Sequence, residues 1–160
     1  MNRFLYLSLF FITLILQTQC QKFDEIDERF EQLEQRVSNL EDATKALQDA
    51  ATKDNGIPMI ITADQEGGNV VRLGSGTALP GNMALGATYA SFGTKYAKAA
   101  GQIIGSELSV LGINANLAPV VDINSNANNP VIGLRSFGDD PDVVGELASA
   151  MTEGMAEYHV

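Results

Sequence analysis

In Met59-Ile60-Ile61-Thr62-Ala63-Asp64-Gln65-Glu66-Gly67-Gly68 an apolar strand breaks into an acidic, glycine-paired loop. The first five residues form an apolar, β-branched run bounded upstream by the turn residues Asp54-Asn55-Gly56-Ile57-Pro58, the signature of a short buried strand. At Asp64 the strand gives way to two carboxylates, two residues apart, and then to paired glycines that let another group approach the backbone. Acidic residues on a glycine loop at the end of a buried strand mark the place where α/β proteins put their functional groups.

Downstream the pattern repeats. Phe92, Tyr96, Ala99, Ala100, Ile103, Ile104, Leu108 and Leu111 recur at helical spacing until Gly112, so residues 92–111 read as a helix. Ile113 to Val121 reads as a second buried strand ended by Asp122, and residues 124–140 as a long polar loop. Pro141 opens a last helix with Val143, Val144, Leu147, Ala148, Met151 and Met155 on one face, and His159 reads as the entry to a third strand. The order strand, helix, strand, helix predicts a parallel α/β architecture for residues 54–160.

Upstream the texture changes twice. Arg3 followed by the apolar run Phe4 to Leu16, broken by Ser8 and Thr13, reads as a signal peptide over residues 1–20, with Thr18 and Cys20 before a cut at Gln21. Secretion is the expected localisation; the alternative is a membrane anchor, through the uncleaved leader or a lipid on Cys20. Residues 21–53 form an acidic helix with apolar residues alternating three and four apart. Phe23, Phe30, Val37 and Thr44 fall at a, and Ile26, Leu33, Leu40 and Leu47 at d. Arg29 and Arg36 then occupy g while Asp27, Glu34 and Glu41 occupy e, so opposite charges flank the seam. Two readings stay open: a coiled coil that makes a homo-oligomer through residues 23–47, and an amphipathic helix laid against the neighbouring domain.

Composition narrows the chemistry. The 160 residues hold ten Lys plus Arg against twenty Asp plus Glu, for a net charge of −10, and show no basic patch for a nucleic acid. One Cys and one His exclude a disulfide framework, a Cys-based zinc site, a His-paired nucleophile and a two-His metal site within these residues. No cofactor and no metal is expected. Gly74-Ser75-Gly76 is no dinucleotide fingerprint, since Leu79 stands where a third glycine is needed.

Two loops carry the candidate residues. Asp64 with Glu66, Gly67 and Gly68 forms the first, and Arg72 comes eight residues after Asp64. The second, residues 128–138, places Arg135 in a stretch poor in other charges, and Arg72 and Arg135 are two of four basic residues after position 54. An Arg fork suits carboxylate, hydroxyl or carbonyl oxygens. Structural readings stand beside these: Asp64 as a turn cap, the two arginines as ion-pair partners of Glu66 or Asp139, and Asp122 as a strand-end residue.

Taken in order, Asp64-Gln65-Glu66-Gly67-Gly68 with Val71-Arg72-Leu73, Pro80, Ala84-Leu85-Gly86-Ala87-Thr88, Glu107-Leu108 with Leu111-Gly112-Ile113-Asn114, Ala118-Pro119-Val120-Val121-Asp122, Asn129-Pro130-Val131-Ile132-Gly133 and Arg135-Ser136-Phe137-Gly138 resemble the N-terminal domain of glycoside hydrolase family three, most closely its β-N-acetylhexosaminidase branch. The resemblance covers roughly residues 47–160 and leaves the leader and the heptads outside. It implies a (β/α)₈ TIM-type barrel, of which about the first third is present, and hydrolysis of terminal β-linked sugars with retention of configuration; a β-glucosidase is the runner-up. It further implies that Asp64, Arg72 and Arg135 bind the non-reducing-end sugar, with Glu66, Gly67 and Gly68 supporting the loop. Asp64 and Arg135 are expected to face one cleft, and Glu66 to brace the Gly67-Gly68 turn. The family's nucleophilic Asp, its His-Asp acid/base and its Lys-His sugar-binding motif belong to later parts of the domain. The chain is therefore expected to be a portion lacking the catalytic pair; the rival reading is a non-catalytic, secreted or membrane-anchored carbohydrate-binding stalk protein.

Overall fold

The computed structural model describes residues 2–160, with side chains described at Lys22 and from Asp24 onward except Asp54 and Asn55, so the expected leader lies outside the described side chains. Among the described residues, no helix is long and apolar enough to cross a membrane. The chain divides into two units, residues 1–40 and 41–160.

The first unit is helical. It belongs to α1, Asn2–Asn55, a stretch without a single Gly or Pro, so nothing in it interrupts the backbone ladder. Gly56 ends the helix at φ 72, donating its N–H to the Thr52 carbonyl at 3.0 Å, and Pro58 comes next where no helix can continue.

In the second unit the end of α1 is tied to the chain beyond it. Thr44 is 5% exposed and donates its hydroxyl to the Leu111 carbonyl at 2.8 Å. The Gln48 amide meets the Met59 backbone twice, donating at 2.7 Å and accepting at 2.8 Å. The laid-down helix thus describes residues 44–48.

The strands β1, Thr62–Ala63, and β2, Ala115–Asn116, pair in parallel with Thr62 opposite Ala115. Between them run α2 (Asn82–Gly86), α3 (Tyr89–Phe92) and α4 (Lys95–Val110). After β2 a long loop holds a 3₁₀ turn at Gly133–Arg135 and leads into α5, Pro141–Ala156. Asp140 caps α5, its Oδ1 accepting from the Asp142 and Val143 N–H groups at 2.9 and 3.2 Å, with Pro141 in the first turn.

Four sequence expectations are corrected. The strands expected at 59–63 and 113–121 shrink to two residues each. Side-chain amides take over the ladder beyond them: the Ile61 N–H donates to Asn114 Oδ1 at 2.8 Å and the Gln65 N–H to Asn116 Oδ1 at 3.0 Å. Burial on both faces also fails, with Ile60 76% and Leu117 63% exposed, because each strand has one neighbour among the described residues and a buried parallel strand needs two. The helix expected from Phe92 begins at Lys95, since Gly93 at φ 57 closes α3 and turns the chain. His159 lies not in a strand but in a turn at φ 63, its N–H donating to the Ala156 carbonyl.

The core lies between α4 and α5, where Ile104, Leu108, Leu147 and Met151 are at most 1% exposed. Glycines set the separation: a Cβ on Gly101 would sit 2.0 Å from the Met151 carbonyl oxygen, and one on Gly154 2.4 Å from that of Lys98. Backbone meets backbone there. The C-terminal end of α5 is held to the first half of α4 by Gln102 and Lys98, which donate to Glu157 at 2.7 and 2.9 Å and keep its carboxyl below the ordinary glutamate value.

Candidate functional site

The site is built where β1 ends. Asp64 comes directly after Ala63, and Gln65, 2% exposed, turns inward where Asp64 does not. The Gln65 Oε1 accepts from the N–H groups of Arg72 and Leu73 at 2.8 and 3.1 Å, which folds residues 65–73 back on themselves. Its own backbone is gripped by Asn116 at the end of β2, N–H to Oδ1 and Nδ2 to carbonyl. The buried amide of Gln65 and the half-buried amide of Asn116 thus tie the loop to the sheet.

Within that loop the Glu66 N–H donates to the Val70 carbonyl at 3.0 Å and closes the glycine turn. Gly67 and Gly68 stand at φ 84 and 57, a region closed to most side chains, and a Cβ on Gly68 would meet the Gly81 Cα at 2.7 Å. The turn therefore packs against the start of α2 as only glycine can.

The Glu66 carboxylate does something the sequence left open. It is 4% exposed and takes Arg135 in a two-pronged ion pair, Nε to Oε2 at 2.9 Å and Nη2 to Oε1 at 2.7 Å. That contact raises the Arg135 pKa above its ordinary value, burial opposes it, and the charges of Glu66, Asp64 and Asp122 add to the rise. Arg135 Nη1 also donates to the Val131 carbonyl at 3.3 Å. A guanidinium has five N–H groups. Three are used, and one on each Nη remains without a partner among the described residues, a fork held in place for a pair of oxygens.

Arg135 is positioned from its backbone as well. The Asn82 Nδ2, 2% exposed on α2, donates to the Arg135 carbonyl at 2.8 Å. The fully buried Ser136 hydroxyl donates to the Asp122 carbonyl at 2.6 Å and accepts from the Gly138 N–H at 3.2 Å, drawing the second loop back to Asp122.

Asp64 and Arg72 form a second, looser pair, Arg72 Nη2 to Asp64 Oδ2 at 2.9 Å, with 57% and 41% of the two side chains exposed. One Asp64 oxygen is left for a donor. A cavity of about 120 Å³ opens beside Arg135 and Glu66, walled by the Gly67-Gly68 turn and Asn82; Asp64 and Arg72 are not among its walls.

The sequence singled out the charged residues and missed the amides and the hydroxyl. Gln65, Asn82, Asn114, Asn116 and Ser136 carry no charge, and only the polar pair Asn114 and Asn116 inside an apolar run offered a signal. Among the described residues, no group of three or more His, Cys, Asp or Glu side chains is placed to hold a metal ion.

A parallel strand–helix–strand unit with its polar groups gathered past the strand ends is the arrangement of an α/β enzyme domain of the barrel type. The family model described as the glycosyl hydrolase family 3 N terminal domain matches residues 15–160, and the chain belongs to that family. The match starts well upstream of residue 47, so much of α1 lies inside it and not outside, as the motifs alone suggested. A β-hexosaminidase A of Pseudoalteromonas piscicida is 50% identical over 99 residues, which are 61% of this chain and 17% of that protein. The structure of a family 3 β-N-acetylglucosaminidase from a Paenibacillus species superposes with a TM-score of 0.70 at 42% identity, covering 76% of this chain and 23% of the other. NagZ of Neisseria gonorrhoeae, in complex with N-trifluoroacetyl-D-glucosamine, gives a TM-score of 0.66 at 33% identity over 76% of this chain and 36% of its own. These relatives place the chain in the β-N-acetylhexosaminidase branch, and it spans well under half of their length.

Proposed function

We propose that the chain carries the sugar-orienting part of a retaining β-N-acetylhexosaminidase, acting on terminal β-linked sugars of an oligosaccharide or glycoconjugate. The observation that carries this reading is the Glu66-clamped Arg135, whose two remaining N–H groups form a donor fork beside the cavity walled by the Gly67-Gly68 turn and Asn82. A sugar hydroxyl both donates and accepts, so neighbouring hydroxyls satisfy a carboxylate and a guanidinium together. Asp64, Arg72 and Arg135 are assigned to sugar binding, and Glu66, Gly67 and Gly68 to holding the loop in shape.

Bond cleavage with retention needs a nucleophilic carboxylate and an acid/base about 5 Å apart across the glycosidic bond. Asp64 and Glu66 are each already committed to an ion pair with an arginine, at 2.9 and 2.7 Å. We therefore assign the catalytic pair to neither. Secretion through a cleaved leader over residues 1–20 belongs to the same proposal, supported by Arg3 and the apolar run after it.

The test is titration of the full chain with N-acetylglucosamine monitored by NMR, alongside an assay with aryl β-N-acetylglucosaminides. Saturable binding lost in Asp64→Ala and in Arg135→Ala, with no turnover, is expected. Turnover abolished by Asp64→Ala would overturn the assignment of Asp64 to binding, and absence of binding by the folded chain would overturn the sugar site.

A further inference from the structure

Residues 22–40 of α1 carry a stripe with a specific charge code. Ile26 and Phe30 are 59% and 60% exposed, and Leu33 and Val37 lie on the same face at half burial. With a and d assigned to that stripe, all three basic residues of this segment, Lys22, Arg29 and Arg36, fall at g. The e positions of the next heptads are Asp27, Glu34 and Glu41, all acidic. In a parallel, in-register coiled coil a g side chain reaches the e side chain five residues further along the partner helix. The pairs that result are Lys22 with Asp27, Arg29 with Glu34 and Arg36 with Glu41, every one attractive. An antiparallel pair would set g against g and e against e, every contact repulsive.

The structure also shows where this code stops. In the next heptad g is Ala43 and e is Gln48, both uncharged, and the a residue Thr44 is 5% exposed and committed to the Leu111 carbonyl. Gln48 is committed to Met59. Two independent observations, one of charge and one of burial, put the end of the stripe in the same place.

We propose that residues 22–41 form a parallel, in-register coiled coil with a second copy of this chain, and that the seam ends before Thr44. This differs from a seam running to Leu47, because the a residue Thr44 and the e residue Gln48 of the last heptad are already bonded within the chain, although Leu47 itself is 47% exposed. Apolar burial of the a and d side chains drives the association, and the g–e pairs fix its direction. The acidic residues Asp24, Glu25, Glu28 and Glu31 fall at b, c and f, facing solvent on either copy.

The experiment uses the full chain with Cys20→Ser. Val37→Cys and Ile26→Cys are each introduced alone, oxidised at low protein concentration and run without reductant, with the sedimentation mass measured in parallel. A dimer mass, with disulfides linking each substituted position to its own copy, is expected. Crosslinking only when the two variants are mixed would mean an antiparallel pair and overturn the proposal, as would a monomer mass at micromolar concentration. A second arm changes charges alone, at the exposed Arg29, Glu34 and Arg36 and the half-buried Glu41. Arg29→Glu with Arg36→Glu should weaken association by about tenfold or more at low salt, and adding Glu34→Arg with Glu41→Arg should restore it. No weakening in the first, or no restoration in the second, would show that the charges do not face each other across the seam.

Discussion

At the scale of single residues, the two ion pairs of the site are unequal in a way their sequence does not announce. Glu66 is almost fully buried and Arg135 about one-third exposed, whereas both partners of the Asp64–Arg72 pair stand largely in water. Removing one member of a buried pair strands the other, while an exposed pair is screened. Glu66→Ala should therefore destabilise the chain by about 1–3 kcal/mol, reduced from a fully buried case by the exposure of Arg135. Arg72→Ala should cost no more than about 1 kcal/mol. Urea denaturation of both variants measures the contrast, and equal losses would contradict the burial difference. In sugar titrations Glu66→Ala should lose binding along with Arg135→Ala, because the fork is aimed only while Glu66 holds it.

Elements are joined here by backbone contact as much as by side chains. Gly101 and Gly145 both lie inside helices, yet they answer opposite demands. A methyl group on Gly101 would overlap the Met151 carbonyl, while one on Gly145 meets nothing within 4 Å. Gly101→Ala should thus cost about 1–3 kcal/mol by forcing α4 from α5. Gly145→Ala should stabilise by about 0.5–1 kcal/mol, since alanine restricts the unfolded chain and suits a helix. Thermal unfolding of the two variants should move in opposite directions. At the start of α5, Asp140→Ala removes the acceptor of two N–H groups and should cost about 1 kcal/mol.

For the whole molecule the informative contrast is between apolar residues that read alike in the sequence. Ile60 sits in an apolar run and Leu147 on the apolar face of α5, both reading as buried, but Ile60 is 76% exposed and Leu147 fully buried. Leu147→Ala should cost about 2–5 kcal/mol through lost burial and a cavity. Ile60→Ser should change stability by no more than about 0.5 kcal/mol and reduce binding of a hydrophobic dye. A large loss for Ile60→Ser would mean that the strand face is covered in solution.

The helix over residues 21–53, α4, α5 and their order with the two strands were legible in the sequence, while α2, α3 and the 3₁₀ turn were not, because amphipathic spacing, Gly56, Pro141 and the strand-end residue Asp64 act through local chain geometry over longer stretches. The sequence also singled out Asp64, Glu66, Arg72 and Arg135, since charges at strand ends and in charge-poor loops stand out in one dimension. Which charge meets which is settled by the folded chain and not by spacing. The Glu66–Arg135 clamp joins residues 69 apart, and no spacing rule links them. The extent of the strands was decided there too, since a ladder needs a neighbour and the amides of Asn114 and Asn116 replace it where the neighbour ends. So was the division of the heptads, where one threonine found a carbonyl 67 residues away while Ile26 and Phe30 before it stay exposed. Local patterns are set by bonds along the chain, and pairings by the closure of long loops, whose outcome depends on every element that packs around them.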